Sequence, residues 1–242
     1  MKHPDPDNIY SPEFVERLFE RMSTTYDRVN RITSFGFSTR WRRQCVQALH
    51  LKPGMKVVDF MTGMGEAWPY ILSDIGSSGH LTAIDFCPAM TRMAEKQRAQ
   101  WPGFAIDLRT EDALHCSLPN HCADAVTATF ALKTFLKPQI EQFAAEIRRV
   151  LRPGGAFSLI EVSKPANPLL GAPYLFYLKN VIPHLGKAFL GDPDTYRMLG
   201  VYTEKFKNCR MVMDCFERAG LEVRQVKYFG GCASGLLGKK PL

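Results

Sequence analysis

Lys56-Val57-Val58-Asp59-Phe60-Met61-Thr62-Gly63-Met64-Gly65-Glu66, followed after a helical stretch by His80-Leu81-Thr82-Ala83-Ile84-Asp85, is the passage that decides the fold. Val57 and Val58 form a short apolar run ending in Asp59, the pattern of a buried parallel strand. Gly63 and Gly65 follow at once, and 67–75 reads as a helix. Glycines at such a turn let the backbone pass beside a ligand with no Cβ in the way. A second strand over 81–85 ends in Asp85, about 20 residues beyond the turn, where an acid can hydrogen-bond the hydroxyls of a ribose.

Two kinds of nucleotide ligand compete for this unit. The dinucleotide fingerprint requires a third glycine three residues after the second, and that position holds Trp68. Glu66 adds negative charge where a pyrophosphate would sit on the helix N-terminus. A ligand with a ribose, an amino acid end, a sulfonium and no phosphate suits the turn better, and S-adenosylmethionine is such a ligand. The plainer alternative is a tight β-to-α turn with no ligand. If the cofactor binds, the contact residues are Asp59, Thr62, Gly63, Gly65 and Trp68 from the first strand and turn, with Asp85 and Phe86 from the second strand. Thr110, Glu111 and Asp112 after the third strand face an adenine edge, and Thr129 ends the fourth strand.

The 242 residues, 45% of them hydrophobic, suffice for one sizeable core. The net charge of +7 comes without a basic run of the nucleic-acid-tail kind, so no nucleic-acid partner is expected. The seven cysteines include no CxxC pair and the six histidines no HxH or HxxxH pair, so free thiols and no metal site are expected. Met1 to Pro6 has no apolar run of the secretory kind, and no stretch reaches 18 apolar residues. The expected location is cytoplasmic.

Along the chain, Ser11-Pro12-Glu13 opens a helix with Phe14, Leu18, Met22 and Tyr26 on one face. A second helix is expected over 39–49, with Trp41 and Cys45 on its stripe. Beyond the first two strands, a helix over 88–100 and strands over 104–108, 124–129 and 156–162 are expected, with a helix over 138–150 and a turn at Arg152-Pro153-Gly154-Gly155. The alternation predicts an α/β, doubly wound, mostly parallel Rossmann-like sheet. One domain is expected: a helical lid over 1–50, a cofactor-binding core over 51–163, a substrate-cap insertion over 164–203, and a final helix and strands over 204–242. In the cap, Pro165, Pro168, Pro173, Tyr174, Phe176 and Tyr177 suit short helices forming an apolar wall. A helix over 202–219 and strands over 222–228 and 229–237 close the chain.

Several segments resemble those of the C-methyltransferases of ubiquinone and menaquinone biosynthesis, within the class I S-adenosylmethionine-dependent methyltransferases. They are Tyr26-Asp27-Arg28-Val29-Asn30, Ser34-Phe35-Gly36 with Trp41 and Arg43, the core glycines and Asp85, Arg149 to Gly155, Glu161-Val162-Ser163-Lys164-Pro165, Pro183-His184-Leu185-Gly186, and Asp192 to Leu199. The resemblance covers nearly the whole chain and implies a methyltransferase fold, S-adenosylmethionine as cofactor and a hydrophobic small-molecule acceptor. It allows peripheral membrane contact to reach a lipophilic acceptor, and a homodimer. After the fourth strand the family usually carries an Arg-Asn pair that serves the aromatic substrate; here the pair is Lys133-Thr134, and the usual Phe before the SKP segment is Val162. The substrate end is therefore altered. Tyr26, Lys133 and Thr134 are the catalytic candidates by resemblance. The expected reaction is C-methylation of an aromatic or prenylated quinol-like ring. Methylation of a secondary metabolite on N, O or C, or a reaction other than methyl transfer such as cyclisation, stays open.

Overall fold

The computed structural model describes residues 9–22, 32–185 and 193–242. Tyr26, with the rest of its motif, lies outside the described residues, as do Gly186 and Asp192. The strands are β1 (Lys56–Phe60), β2 (His80–Asp85), β3 (Ala105–Thr110), β4 (Ala123–Thr129), β5 (Leu151–Val162), β6 (Glu222–Tyr228) and β7 (Ala233–Lys239). They form one sheet in the order β3-β2-β1-β4-β5-β7-β6. β1 to β5 run parallel, and β7 enters antiparallel between β5 and β6. This is the doubly wound Rossmann-like sheet expected from the alternation. The strand order reverses between β1 and β4, so their carboxyl ends diverge and leave the crevice in which open α/β sheets bind ligands.

Helices cover both faces because the strands are apolar on both. On one face α3 (Trp68–Ile75) buries Trp68, Ile71, Leu72 and Ile75 against Val57 and Leu81. On the other, α5 (Lys137–Val150) and α8 (Arg210–Arg218) enclose an aromatic cluster. There the Phe143 ring lies 5.5 Å from that of Phe60 and 6.4 Å from that of Phe216. Pro88 opens α4 (Pro88–Arg98) beside β3.

The helices expected to cover the crevice lie at its open end. α1 (Pro12–Met22) starts where the Ser11 hydroxyl accepts the Phe14 N–H at 3.2 Å, and it buries Val15, Leu18 and Met22. Leu18 and Met22 meet Leu178, Ile182, Tyr196 and Tyr202 of the cap in one cluster. The Tyr202 hydroxyl donates to the Ile9 carbonyl. α2 (Phe37–Gln47) packs on β4 and β5, with the Cys45 thiol 3.1 Å from the Ser158 hydroxyl. In the cap, α6 (Pro168–Phe176) continues into a π-helical turn (Tyr177–Val181), and α7 (Pro193–Phe206) packs against that turn.

Three expectations need correction. Arg152-Pro153-Gly154-Gly155 is not a free turn but part of β5. The chain's last residues hold it in the sheet, since Gly154 N–H donates to the Lys240 carbonyl and Lys240 N–H to that of Gly155, both at 2.9 Å. The register slips between Ala123 and Ala125 instead, as a bulge. The helix over 202–219 is two helices. Lys207 takes a left-handed φ of 62°, and the Asn208 side chain caps the next helix by accepting the Arg210 N–H at 2.9 Å. The last strand starts at Ala233 and not at Phe229, because Phe229–Gly231 forms a 3₁₀ turn with Gly230 at φ 63°.

Phe143 is fully buried and packs against Phe60, Phe135 and Phe216. Phe143→Ala should lower the unfolding free energy by about 3–5 kcal/mol, because the surrounding rings refill the cavity only in part. Urea unfolding of both proteins checks it.

Candidate functional site

The carboxyl ends of β1 and β4 both leave the sheet with a non-glycine residue in left-handed backbone, Met61 at φ 52° and Phe130 at φ 64°. Such residues cost about 1–2 kcal/mol each and turn the chain sharply away from the strand. The two bends frame a pocket lined by Thr62, Gly63 and Asp85 on one side and Thr129, Phe130 and Thr134 on the other. Phe86, Met90 and Asp112 line its far end, and Val15 and Phe19 of α1 lie across it.

The glycine turn is held from below. Asp59 accepts the Thr62 hydroxyl at 2.5 Å, and Thr62 accepts the Trp68 indole N–H at 2.8 Å. Gly65 sits at φ 89° against the Trp68 ring, where an added Cβ would come within 2.7 Å. A third glycine at position 68 would remove this prop. Burial pushes Asp59 up to about 7, against the hydrogen bond from Thr62 that favours its charge.

Asp85 stands at the pocket's edge. Its Oδ2 accepts the Gly63 N–H at 2.8 Å, and its Oδ1 accepts the Cys87 N–H at 2.9 Å. Each carboxylate oxygen keeps lone-pair capacity beyond these bonds, so Asp85 can receive two ribose hydroxyls. Burial pushes it up to about 6.

The other end of the pocket carries a residue that the sequence analysis passed over. Arg42 of α2 is 6% exposed, its Nε is buried without a hydrogen-bond partner, and its nearest carboxylate is Glu66 at 3.6 Å. Its guanidinium lies 5.0 Å from the centre of the Phe130 ring. Glu66 also accepts the Met64 N–H at 3.1 Å. A buried guanidinium with an open donor beside a carboxylate is complementary to the carboxylate and ammonium of an amino acid. The ribose acid, the glycine cradle and this pair together fit S-adenosylmethionine. The available signal was an arginine on the face that α2 buries, next to Trp41 and ahead of Cys45 and Val46.

The expected cofactor residues fall into three groups. Thr62, Gly63, Asp85, Phe86, Asp112 and Thr129 line the pocket. Asp59, Gly65 and Trp68 do not line it and support the turn from beneath. Thr110 and Glu111 do not reach it. The Thr110 hydroxyl is tied to that of Thr91 at 2.9 Å, and Glu111 accepts the Ser117 N–H at 2.8 Å and its hydroxyl at 2.7 Å. Their places are taken by Ala113 and Leu114, whose chain turns inward where Asp112 accepts the Leu114 N–H at 2.9 Å.

A second cavity, of about 310 Å³, opens on the other side of Phe130, which lines both. Phe37, Trp41, Val162, Leu170, Tyr174 and Leu178 form much of its wall. Lys133 is the charged side chain among its described lining residues. Lys133 is 3% exposed, and its ammonium donates to Glu161 at 2.7 Å and to the Phe130 carbonyl at 2.8 Å. Glu161, fully buried, also accepts the backbone N–H groups of Lys133 at 3.1 Å and Val162 at 2.7 Å. The Lys133-Thr134 pair therefore splits. Lys133 faces this second cavity, while Thr134 lines the first pocket and donates its hydroxyl to the Ala131 carbonyl at 2.7 Å.

A model of the ubiE/COQ5 methyltransferase family matches residues 8–240. Curated relatives include a demethylmenaquinone methyltransferase of Staphylococcus aureus (strain MRSA252), 33% identical over 97% of this chain and 96% of that protein. Another demethylmenaquinone methyltransferase, from Desulfitobacterium hafniense (strain Y51), is 29% identical over 94% of this chain and 90% of that protein. Among solved structures, a SAM-dependent methyltransferase from Aquifex aeolicus superposes with a TM-score of 0.57 at 22% identity, covering 81% of this chain and 88% of that one.

Asp85→Ala should weaken S-adenosylmethionine binding by about 1.5–3 kcal/mol for each charged hydrogen bond lost, read by calorimetry. A protonated Asp85 accepts less well, so wild-type affinity should fall as the pH drops through about 6, and this dependence should be absent in Asp85→Ala. The stability of the ligand-free protein runs the other way. The Asp85 and Asp59 carboxyls titrate higher when folded than the ordinary 3.8, so their contribution is greatest below pH 3.8 and is lost as the pH rises through about 6 and 7. Arg42→Met should weaken S-adenosylmethionine binding about tenfold or more. It should leave the affinity for methylthioadenosine, which has no amino acid end, unchanged.

Proposed function

The chain belongs to the ubiE/COQ5 methyltransferase family, and from that premise we propose that it methylates a ring carbon of a hydrophobic, quinol-like acceptor held in the cavity beyond Phe130. The observation that carries this reading is the pair of pockets sharing one wall, a cofactor pocket and a largely apolar cavity with Lys133 at its floor. The two demethylmenaquinone methyltransferases, alike over more than nine-tenths of the chain, favour the same acceptor class.

When bound, S-adenosylmethionine supplies a methyl group on a sulfonium whose sulfur leaves as a neutral thioether. Positive charge disappears during such a transfer, so the chain's task is alignment and the exclusion of water. Phe130, pinned by its left-handed backbone and by the bond from its N–H to the Ile160 carbonyl at 2.8 Å, gives both ligands a fixed boundary. Arg42 and Glu66 would hold the amino acid end of the cofactor and Asp85 its ribose.

Lys133 acts on the acceptor. An ammonium has three donors, and two of those on Lys133 are taken by Glu161 and the Phe130 carbonyl. The third donates to the acceptor's ring oxygen and stabilises it as a phenolate, which raises electron density at the ring carbon that attacks. The described residues lining this cavity include no carboxylate or imidazole to take the phenol proton. That proton leaves to water, with Tyr26 as the relay that the family resemblance offers; after transfer the methylated carbon gives up its own hydrogen to water as a proton, and the ring regains aromaticity as the oxygen is protonated again. Lysine makes a point contact where the family's arginine would make a planar one. An alkyl tail fits the wall of Leu170, Leu178, Ile182 and Leu199, at about 0.8 kcal/mol for each methylene removed from water.

Lys133→Met alone would strand the Glu161 carboxylate in the core at a cost of about 3–5 kcal/mol. The informative variant is therefore Lys133→Met with Glu161→Gln. It should fold, bind S-adenosylmethionine with wild-type affinity, and lose about 100-fold in turnover. Labelled cofactor with a demethylated prenyl quinol, a short-chain analogue, a polar catechol and a nitrogen heterocycle tests the acceptor. A prenyl quinol labelled on carbon is the expected product. Preference for the catechol, or label on nitrogen or oxygen, would move the chain to the secondary-metabolite reading.

A further inference from the structure

The acceptor cavity opens through an apolar rim. Ile32, Phe35, Leu169, Phe176 and Phe229 are five of the seven large hydrophobic side chains that stand exposed among the described residues. Phe35 is 79% and Leu169 87% exposed, so most of each faces water. Four aromatic rings tie the rim to the cavity wall. Phe35 stacks on Tyr177 at 6.1 Å, and Phe229 packs on Phe37 at 4.6 Å. Leu169 and Phe176 lie beside the lining residues Leu170 and Tyr177 and line neither pocket themselves.

The chain segments that carry this rim hold cations and no acid of their own. Segments 32–58, 162–185 and 223–242, which form it and its flanks, contain no Asp or Glu at all. Arg40, Lys164, Lys207 and Lys227 are exposed on or beside them. Lys179 is paired with Glu204 of α7.

We propose that this rim docks on the surface of an anionic lipid bilayer, with Leu169, Phe176, Phe35 and Phe229 entering the headgroup boundary and Arg40, Lys164 and Lys227 facing lipid phosphates. Aromatic and aliphatic side chains ringed by cations match an interfacial site. A second copy of this chain is the weaker occupant, because two such faces would bring like charges together. No helix among the described residues is long and apolar enough to cross a membrane, so the contact is with the surface. The proposal rests on the lipophilic-acceptor reading for its purpose: docking would place the cavity mouth at the depth where a prenylated ring lies, so the tail need not cross water.

The test is sedimentation of the full chain with phosphatidylcholine vesicles, with and without phosphatidylglycerol, and no acceptor present. The wild type should bind the anionic vesicles much more tightly than the neutral ones. Leu169→Ser with Phe176→Ser should weaken that binding about tenfold or more. Lys164→Gln and Lys227→Gln should each weaken it about fivefold. These four residues line neither pocket, so affinity for S-adenosylmethionine should stay unchanged and certify the fold. Turnover of a prenyl quinol in detergent should also be unchanged, while turnover of the same quinol in vesicles falls. No vesicle binding by the wild type, or equal binding by the variants, would overturn the proposal. So would a dimer that the Leu169 and Phe176 changes dissociate, which would give the face to a second copy. Vesicle binding as expected with no turnover of any quinol would leave docking standing and remove the acceptor reading.

Discussion

Glu161 has no contact with solvent, yet it is the acidic residue of β5. Its carboxylate collects the Lys133 ammonium, the Lys133 N–H and the Val162 N–H, and so ties the end of β5 to the turn after β4. Burying a carboxylate is costly unless its lone pairs are met by well-placed donors. Once met, they fix the turn in one conformation. That turn carries Phe130, Lys133 and Thr134, and with them the boundary between the two pockets. The neutral pair also lets a lysine sit at the floor of an apolar cavity.

The same logic governs the cofactor side. Asp59, Asp85, Glu66 and Arg42 crowd the carboxyl ends of β1 and β2, and each is held by neighbours from another element. Burial raises the two aspartates toward neutrality, and hydrogen bonds from Thr62, Gly63 and Cys87 draw them back. A ligand that brings hydroxyls to Asp85 and a cation near the acids relieves this crowding. Folding and cofactor binding are thus coupled through the same carboxylates, with opposite dependence on pH.

α2 joins the two sites. Trp41 lines the second cavity and the next residue, Arg42, lines the first pocket, so the helix places its successive side chains on either side of Phe130. Cys45 and Val46 anchor the same helix in the core. A shift of α2 would therefore be felt in both pockets at once. At its N-terminal turn Phe37, in the wall of the second cavity, meets Phe229.

The sheet was legible in the chain itself, because strands buried on both faces read as apolar runs and the turns between them carry glycine or proline. Val57-Val58-Asp59, the Gly63 and Gly65 turn, and Asp85 specify a local β-turn-α-β unit whose contacts are close in sequence. The resemblance of the flanking segments supplied the reaction class. Position in three dimensions was decided elsewhere. Thr110 and Glu111 looked like cofactor contacts from their place after β3, but bonds to Thr91 and Ser117 turn them away. Arg42 drew no reading in the sequence, because its burial follows from the packing of α2 against β4 and β5. Lys133 and Thr134 are neighbours in sequence, yet the 3₁₀ turn that holds them sends them to different pockets. Local pattern sets which backbone a segment adopts. Which side chain meets a ligand depends on partners that lie tens of residues away, such as Glu161 for Lys133, and no local pattern encodes them.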